Sequence, residues 1–249
     1  MIEIITAGTG KFRDMIAKTS DATRRVGYDV RAFDLGGVGF GEYWSVPVRH
    51  EGRGRTSVGG ESTQHEKNVF GVAPWKPSII SHVLSQEVDQ TKTIVWLDAD
   101  AWVIRPLTEL GVGYFDVAVT MRRPNERGLS SRPELWGYLN AGFVAFRPTP
   151  QAMKFLKMWQ LEVERVATGS DQHAMNNIVR KVTDLRHYNR IFKLEDIKIK
   201  ILATEQFNNY YAPEPPMPNT CVMHFKHNVR AVNSIEEWIE KTKPENLLC

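Results

Sequence analysis

Apolar positions fall into short runs that alternate with stretches of helical spacing. Near the N-terminus "IEIITAG" is an apolar run ending at a glycine, and "FRDMIAKTSDATRRVG" follows with apolar residues at Phe12, Met15, Ile16, Ala22 and Val26. The run predicts a strand and the spaced pattern predicts a helix that stops at Gly27. "YDVRAFDL" predicts a second strand, so the chain opens β-α-β, with parallel strands joined by a crossover helix. Residues 36 to 73 break the pattern. "GGVGFGEYW" and "RHEGRGRTSVGGESTQHEKN" are rich in glycine and polar groups with no apolar period, which predicts a functional or partly disordered loop over about residues 45–70.

Order resumes at "KPSIISHVLSQ", a helix with Pro77 suited to its first turn. "TIVWL", "FDVAVTM" and "YLNAGFVAFRP" predict strands, the last carrying a glycine. "TPQAMKFLKMWQLEVERVAT" predicts an amphipathic helix with Met153, Leu156, Trp159 and Val163 among its apolar positions. "SDQHAMNNIVRKV" predicts another, capped at Ser170 and Asp171. "IKIKILAT" and "TCVMHF" form a β-rich end, followed by a last helix, "NSIEEWIEKT", with Asn233 or Ser234 as its N-cap. With no repeat, heptad run or boundary, the expectation is one α/β domain over residues 1–249.

Composition narrows the function classes. The 249 residues can bury a substantial core, and 32 basic against 29 acidic residues leave a net charge of +3. That balance argues against nucleic acid as the main partner, while the slight excess helps to attract an anionic small molecule. Two cysteines, Cys221 and Cys249, make no disulfide framework and fit a reducing cytosol. "MIEIITAGTGKF" lacks the features of a signal peptide, and no segment reaches the roughly 18–20 apolar residues of a membrane span. The expectation is a cytoplasmic protein beginning at Met1, with any membrane contact peripheral.

The chemistry concentrates in "TIVWLDAD", where a strand of buried type runs into Asp98 and Asp100. In an open α/β sheet, ligands bind beyond the carboxyl ends of the strands. Residues two apart in an extended chain project to the same side, so both carboxylates can address one point. Two such anions repel, and a divalent cation relieves the repulsion. All-oxygen ligation suits Mg²⁺ or Mn²⁺ with positions open to phosphate. The plain alternative is a turn-capping Asp98 beside a solvated Asp100; the apolar strand before them favours the metal.

The segment "VWLDADAWVIRPL" resembles the D-x-D segment of GT-A glycosyltransferases, the nucleotide-diphospho-sugar transferases, and further stretches follow in that family's order. "ITAGTGKF" is similar to its first strand and nucleotide-binding turn, and "WKPSIISHVL" to its lysine-bearing helix. "YLNAGFVAFRPT" is similar to its N-x-G strand. "SDQHAMN" resembles the D-Q-x-x-x-N element of retaining members such as glycogenin and the bacterial galactosyltransferases, and "VMHFKH" the late histidine segment. The likeness spans about residues 2–228. It implies a single-domain GT-A fold, Rossmann-like, with a mixed, mostly parallel sheet flanked by helices.

The resemblance implies residue roles as well. Asp98, Asp100 and His224 would hold Mn²⁺ (or Mg²⁺). Thr6, Ala7 and Gly8 would meet the nucleobase and ribose, though "TAGTGKF" is not a phosphate loop. Lys76 would reach phosphate or a nucleobase edge, with Ala99 also at the donor. Asn140, Ala141 and Gly142 would flank the sugar pocket, Gly142 allowing close approach of ligand or backbone. Asp171 would bind sugar hydroxyls and Gln172 would lie near the anomeric carbon. Relatives carry G-x-K-P-W after the late histidine where this chain has "KHNVRAV". That leaves Lys226, His227 or Arg230 for the diphosphate. Arg122, Arg123, Arg127 and Arg132 read as a solvated basic loop, the alternative being contact with an acceptor.

The function implied is metal-dependent transfer of a sugar from a nucleotide diphosphate, UDP first and GDP second, to the hydroxyl of a glycan, protein or lipid-linked acceptor, with retention. A nucleotidyltransferase and a non-catalytic nucleotide-sugar-binding protein are the alternatives.

Overall fold

The structure is a computed structural model that describes residues 1–37, 39–44, 75–122, 139–166, 170–179, 190–210 and 217–225. The predicted β-α-β opening is present as β1 (Ile2–Gly8), α1 (Arg13–Arg25) and β2 (Val30–Asp34). Helix α1 stops where expected, because Gly27 takes φ +91°, a left-handed conformation that other residues enter only with strain. After β3 (Glu42–Tyr43) come α2 (Lys76–Gln86), with its proline in the first turn, then β4 (Thr93–Leu97) and β5 (Ala101–Val103). The chain continues through β6 (Val117–Met121), β7 (Leu139–Phe146), α3 (Pro150–Arg165) and α4 (Asp171–Val179). The described part ends with β8 (Ile191–Leu194), β9 (Ile197–Leu202), α5 (Thr204–Phe207), β10 (Asn209–Tyr210) and β11 (Val222–His224).

Eight strands form the main sheet in the order β3-β2-β1-β4-β7-β6-β9-β8. Its pairings are parallel except around β7, antiparallel to both β4 and β6, and β8, antiparallel to β9. Strand β4 is buried along its whole length, as a central strand covered on both faces must be. Its side chains alternate between two cores. Ile94 and Trp96 join the cluster that includes Ile79, Phe155 and Trp159 from α2 and α3, while Val95 and Leu97 join Phe143, Leu107 and Phe207 on the opposite face. No helix among the described residues is long and apolar enough to cross a membrane.

Three features differ from the sequence reading. Strands β3 and β8 form at the two edges of the sheet, where partial exposure removes the apolar run that marks a buried strand. β3 lies within the stretch 36–73 that lacks an apolar period, just before the expected loop. A second sheet, β10-β11-β5, lies beside the first, and β5 is only three residues long, below the length at which periodicity is visible. The loop expected over about residues 45–70 and the expected C-terminal helix lie outside the described residues.

Candidate active site

Where β4 ends, the chain turns instead of continuing extended: the backbone N–H of Ala101 donates to Asp98 O at 2.9 Å. The two carboxylates therefore converge through a turn, a correction to the extended-chain argument that predicted the same convergence. The turn is tied down on two sides. The Thr19 hydroxyl on α1 donates to Ala99 O at 2.6 Å, and the Phe225 N–H donates to Asp100 O at 2.7 Å. Pairing of β11 with β5 sets His224 opposite Ala101. Ligand atoms of Asp98, Asp100 and His224 then all lie within 4.8 Å of one another.

This donor set fits a small divalent cation. Neighbouring ligands at bonds of about 2.1 Å sit about 3.0 Å apart, and His224 Nε2 lies 3.1 Å from Asp100 Oδ1. Two carboxylate oxygens and an imidazole nitrogen suit Mg²⁺ or Mn²⁺. His224 packs on Gly142, where a β-carbon would lie 2.2 Å from its Cε1 and 2.9 Å from its Nδ1. The close approach expected at Gly142 is thus made by the histidine ring.

A second polar cluster shares Asp98. The Lys76 ammonium, at the start of α2, lies 2.9 Å from Asp98 Oδ1 and 2.6 Å from Asp171 Oδ2, and it donates to Ala141 O at 2.8 Å. The indole N–H of Trp96 donates to the same Asp98 oxygen at 2.8 Å. Burial pulls the Lys76 pKa down, but the charges of Asp171 and Asp98 outweigh it and hold the ammonium above its ordinary value. Burial pushes the Asp171 carboxyl above its ordinary range; Lys76 pulls against this and Asp98 adds to it. Both shifts follow from two carboxylates sharing one cation in a dry site.

Helix α4 is latched beside this cluster. The Ser170 hydroxyl caps it, accepting from the His173 N–H at 3.3 Å. Asn176 accepts from the Leu139 N–H and donates to the Leu139 carbonyl, fixing α4 to the first residue of β7. Asn140 Nδ2 donates to Gln172 Oε1 at 3.3 Å, and its Oδ1 accepts from the Gly142 N–H at 2.7 Å. The structure therefore brings Lys76, Asp98, Ala99, Asp100, Asn140, Ala141, Gly142, Asp171, Gln172 and His224 to one rim of the sheet.

Thr6, Ala7 and Gly8 end β1 next to β4, at the same rim. The side chains of Thr6 and Ala7 are buried, and a β-carbon on Gly8 would strike Ile16 Cδ1 at 2.7 Å, so this glycine is required by packing under α1. Lys226, His227, Arg230, Arg123, Arg127 and Arg132 lie outside the described residues.

Sequence reasoning missed Trp96, Thr19 and Asn208 as supports of the site. Trp96 carried a usable signal, since it sits two residues before Asp98 and shares its side of the strand. Thr19 and Asn208 carried none, because each reaches the site across more than a dozen residues of chain.

A family profile of nucleotide-diphospho-sugar transferases matches residues 60–224. That is more than half of the chain, which therefore belongs to the nucleotide-diphospho-sugar transferase family and is a glycosyltransferase. Among solved structures it is similar to a glycosyltransferase involved in the glycosylation of the major capsid of PBCV-1, at 13% identity over 97% of this chain and 98% of that one, with a TM-score of 0.53. It is also similar to LgtC. An active-site mutant of LgtC gives 14% identity over 96% and 94% of the two chains, TM-score 0.53. The galactosyltransferase LgtC in complex with donor and acceptor sugar analogs gives 13% identity over 96% and 94%, TM-score 0.50. At these identities the likeness is one of fold, and it agrees with the GT-A architecture expected from the sequence. No curated protein matches the chain by sequence.

Proposed function

We propose that this protein transfers a hexosyl or pentosyl group from a nucleotide diphosphate donor, UDP-sugar first among the candidates, to an acceptor hydroxyl, with a divalent cation and with retention. The observation that carries the reading is the convergence of Asp98, Asp100 and His224 at the carboxyl end of β4, where α/β sheets bind ligands. A bound Mn²⁺ or Mg²⁺ supplies neutralisation of the charge that develops on the departing diphosphate.

The protein's own groups bind and position. The backbone at Thr6, Ala7 and Gly8 lies beside β4 to receive the nucleobase and ribose, and Lys226 is assigned to the diphosphate. Asp171 and Asn140 face the sugar, with Gln172 next to the anomeric carbon. Asp171 is ion-paired to Lys76, and the likeness of "SDQHAMN" to the D-Q-x-x-x-N element of retaining members supports retention. In that chemistry the anomeric C–O bond to phosphate breaks, the acceptor oxygen bonds to the anomeric carbon on the same face, and the departing phosphate oxygen takes the acceptor proton. Holding the acceptor against the anomeric carbon supplies much of the remaining rate gain. LgtC, solved with donor and acceptor sugar analogs, supports a paired donor and acceptor here. The acceptor class is a glycan, protein or lipid-linked sugar. The reading extends to a single transferase domain over residues 1–249 working in the cytoplasm.

The test is calorimetric titration of UDP-sugars and GDP-sugars with and without Mn²⁺, paired with an assay of nucleoside diphosphate release. Asp100→Asn is expected to remove the metal-dependent part of donor affinity while the fold persists. Undiminished, still metal-dependent donor affinity in that variant overturns the proposal.

A further inference from the structure

His224 stands between two groups whose hydrogen-bonding roles are set without reference to it. Its Nδ1 lies 2.8 Å from Oδ1 of Asn208, and its Nε2 lies 3.1 Å from Oδ1 of Asp100. Asn208 follows α5 and is 1% exposed. Its Nδ2 donates at 3.0 Å to the carbonyl of Met121, the last residue of β6. A carbonyl only accepts, so the amide nitrogen must face Met121 and the amide oxygen must face His224. Turning the amide over would set oxygen against oxygen at the Met121 end, inside a buried site where an unmade hydrogen bond is costly.

Both facing oxygens accept and neither donates, so the single proton of the neutral ring can serve one side only. The shorter contact, 2.8 Å to Asn208 against 3.1 Å to Asp100, points to Nδ1. The neutral ring then carries its lone pair on Nε2. That lone pair points at a carboxylate oxygen, which is an acceptor too. Two acceptors 3.1 Å apart repel unless something positive lies between them. The ring has little room to escape, because it rests on Gly142, where even a β-carbon would overlap it.

We propose that Asn208 is a positioning residue that fixes the tautomer of His224 and so presents its Nε2 lone pair, together with Asp100, to the metal. The proposal rests on the metal reading of the Asp98–Asp100–His224 cluster and adds to it a residue outside the ligand set. Such outer partners of a metal-bound histidine orient the ring and raise its basicity, and losing one commonly weakens metal binding by about 10- to 100-fold.

The test combines ¹⁵N NMR of the histidine side chains in the metal-free protein at alkaline pH with Mn²⁺ titration of wild type, Asn208→Leu and Asn208→Asp. The neutral His224 ring of the wild type is expected to carry its proton on Nδ1. Asn208→Leu should weaken Mn²⁺ binding by about 10- to 100-fold and release the proton to Nε2. Asn208→Asp keeps an acceptor facing Nδ1 but loses the donor to Met121, so it should bind Mn²⁺ within a few fold of wild type. Equal loss in both variants would show that the Met121 contact alone matters and would overturn the inference. So would a wild-type ring protonated on Nε2, or wild-type affinity in Asn208→Leu; either result leaves the metal reading standing. A wild-type protein that binds no Mn²⁺ sinks the metal reading itself.

Discussion

Replacing Lys76 with methionine removes one cation from between two carboxylates and keeps most of the side-chain volume. The ammonium is 4% exposed, Asp171 11% and Asp98 32%. With separations of 2.6 and 2.9 Å and an effective dielectric of about 20, each pairing is worth about 6 kcal/mol of Coulomb attraction. Desolvation of the buried ions offsets most of that, so the intact cluster adds little net stability. The variant stands differently, because it leaves two anions facing each other and the Ala141 carbonyl without its donor. Breaking a buried pair in this way costs about 3–5 kcal/mol, which for a chain of this length lowers the melting temperature by roughly 6–20 °C at neutral pH.

The loss depends on pH in a defined direction. Burial already raises the Asp171 carboxyl, with Lys76 as the main opposing influence; without the lysine it rises further. A carboxyl whose pKa is higher folded than unfolded binds more protons in the folded state, so stability falls as pH rises through the folded value. Lys76 itself is raised when folded; its contribution is complete below the ordinary lysine range and is lost only in alkali. Thermal melts between about pH 5 and pH 8 should therefore show the deficit of Lys76→Met shrinking towards acid. Adding Asp171→Asn should recover much of the deficit at neutral pH. A variant melting within about 2 °C of wild type at neutral pH, or one whose deficit grows on acidification, would refute the reasoning.

Two further perturbations probe the rim. Gly142→Ala would put a methyl group 2.2 Å from Cε1 of His224, so the ring must move by more than about 1 Å to reach an ordinary contact of about 3.5 Å; Mn²⁺ affinity measured by calorimetry should fall by about tenfold or more, with about 1–3 kcal/mol lost to overpacking. Trp96→Phe removes the indole donor to Asp98 and should raise the KM for donor while changing stability by about 1–3 kcal/mol; an unchanged KM would show that Asp98 needs no support from that side.

The sequence made the site more legible than the sheet that carries it. Asp98 and Asp100 could be named because a carboxylate pair after a buried apolar strand has few plain explanations, and His224 because "VMHFKH" resembles the family's late histidine segment. The parallel opening was readable from alternating periods. What stayed hidden was held by long-range contact: the amide of Asn208 against His224, the hydroxyl of Thr19 against Ala99, the ion pair of Lys76 with Asp171. Such pairs leave no local pattern. Edge strands β3 and β8 were hidden for a different reason, since partial exposure mixes polar residues into their runs.

The reversed direction of β7 has a geometric result for Asp171. The eight residues of β7 carry the chain about 26 Å away from the rim, and the sixteen residues of α3 carry it about 24 Å back. Contacts of Ser81 with Met153 and of Ser78 with Gln160 show α3 running against α2 towards the same rim, where the Trp159 indole grips the Asp171 carbonyl at 2.8 Å. The helix acts as a measured spacer. One residue added to it would advance Asp171 and the start of α4 by about 1.5 Å and swing them about 100° around the axis, so α3 should tolerate exchanged side chains far better than a changed length.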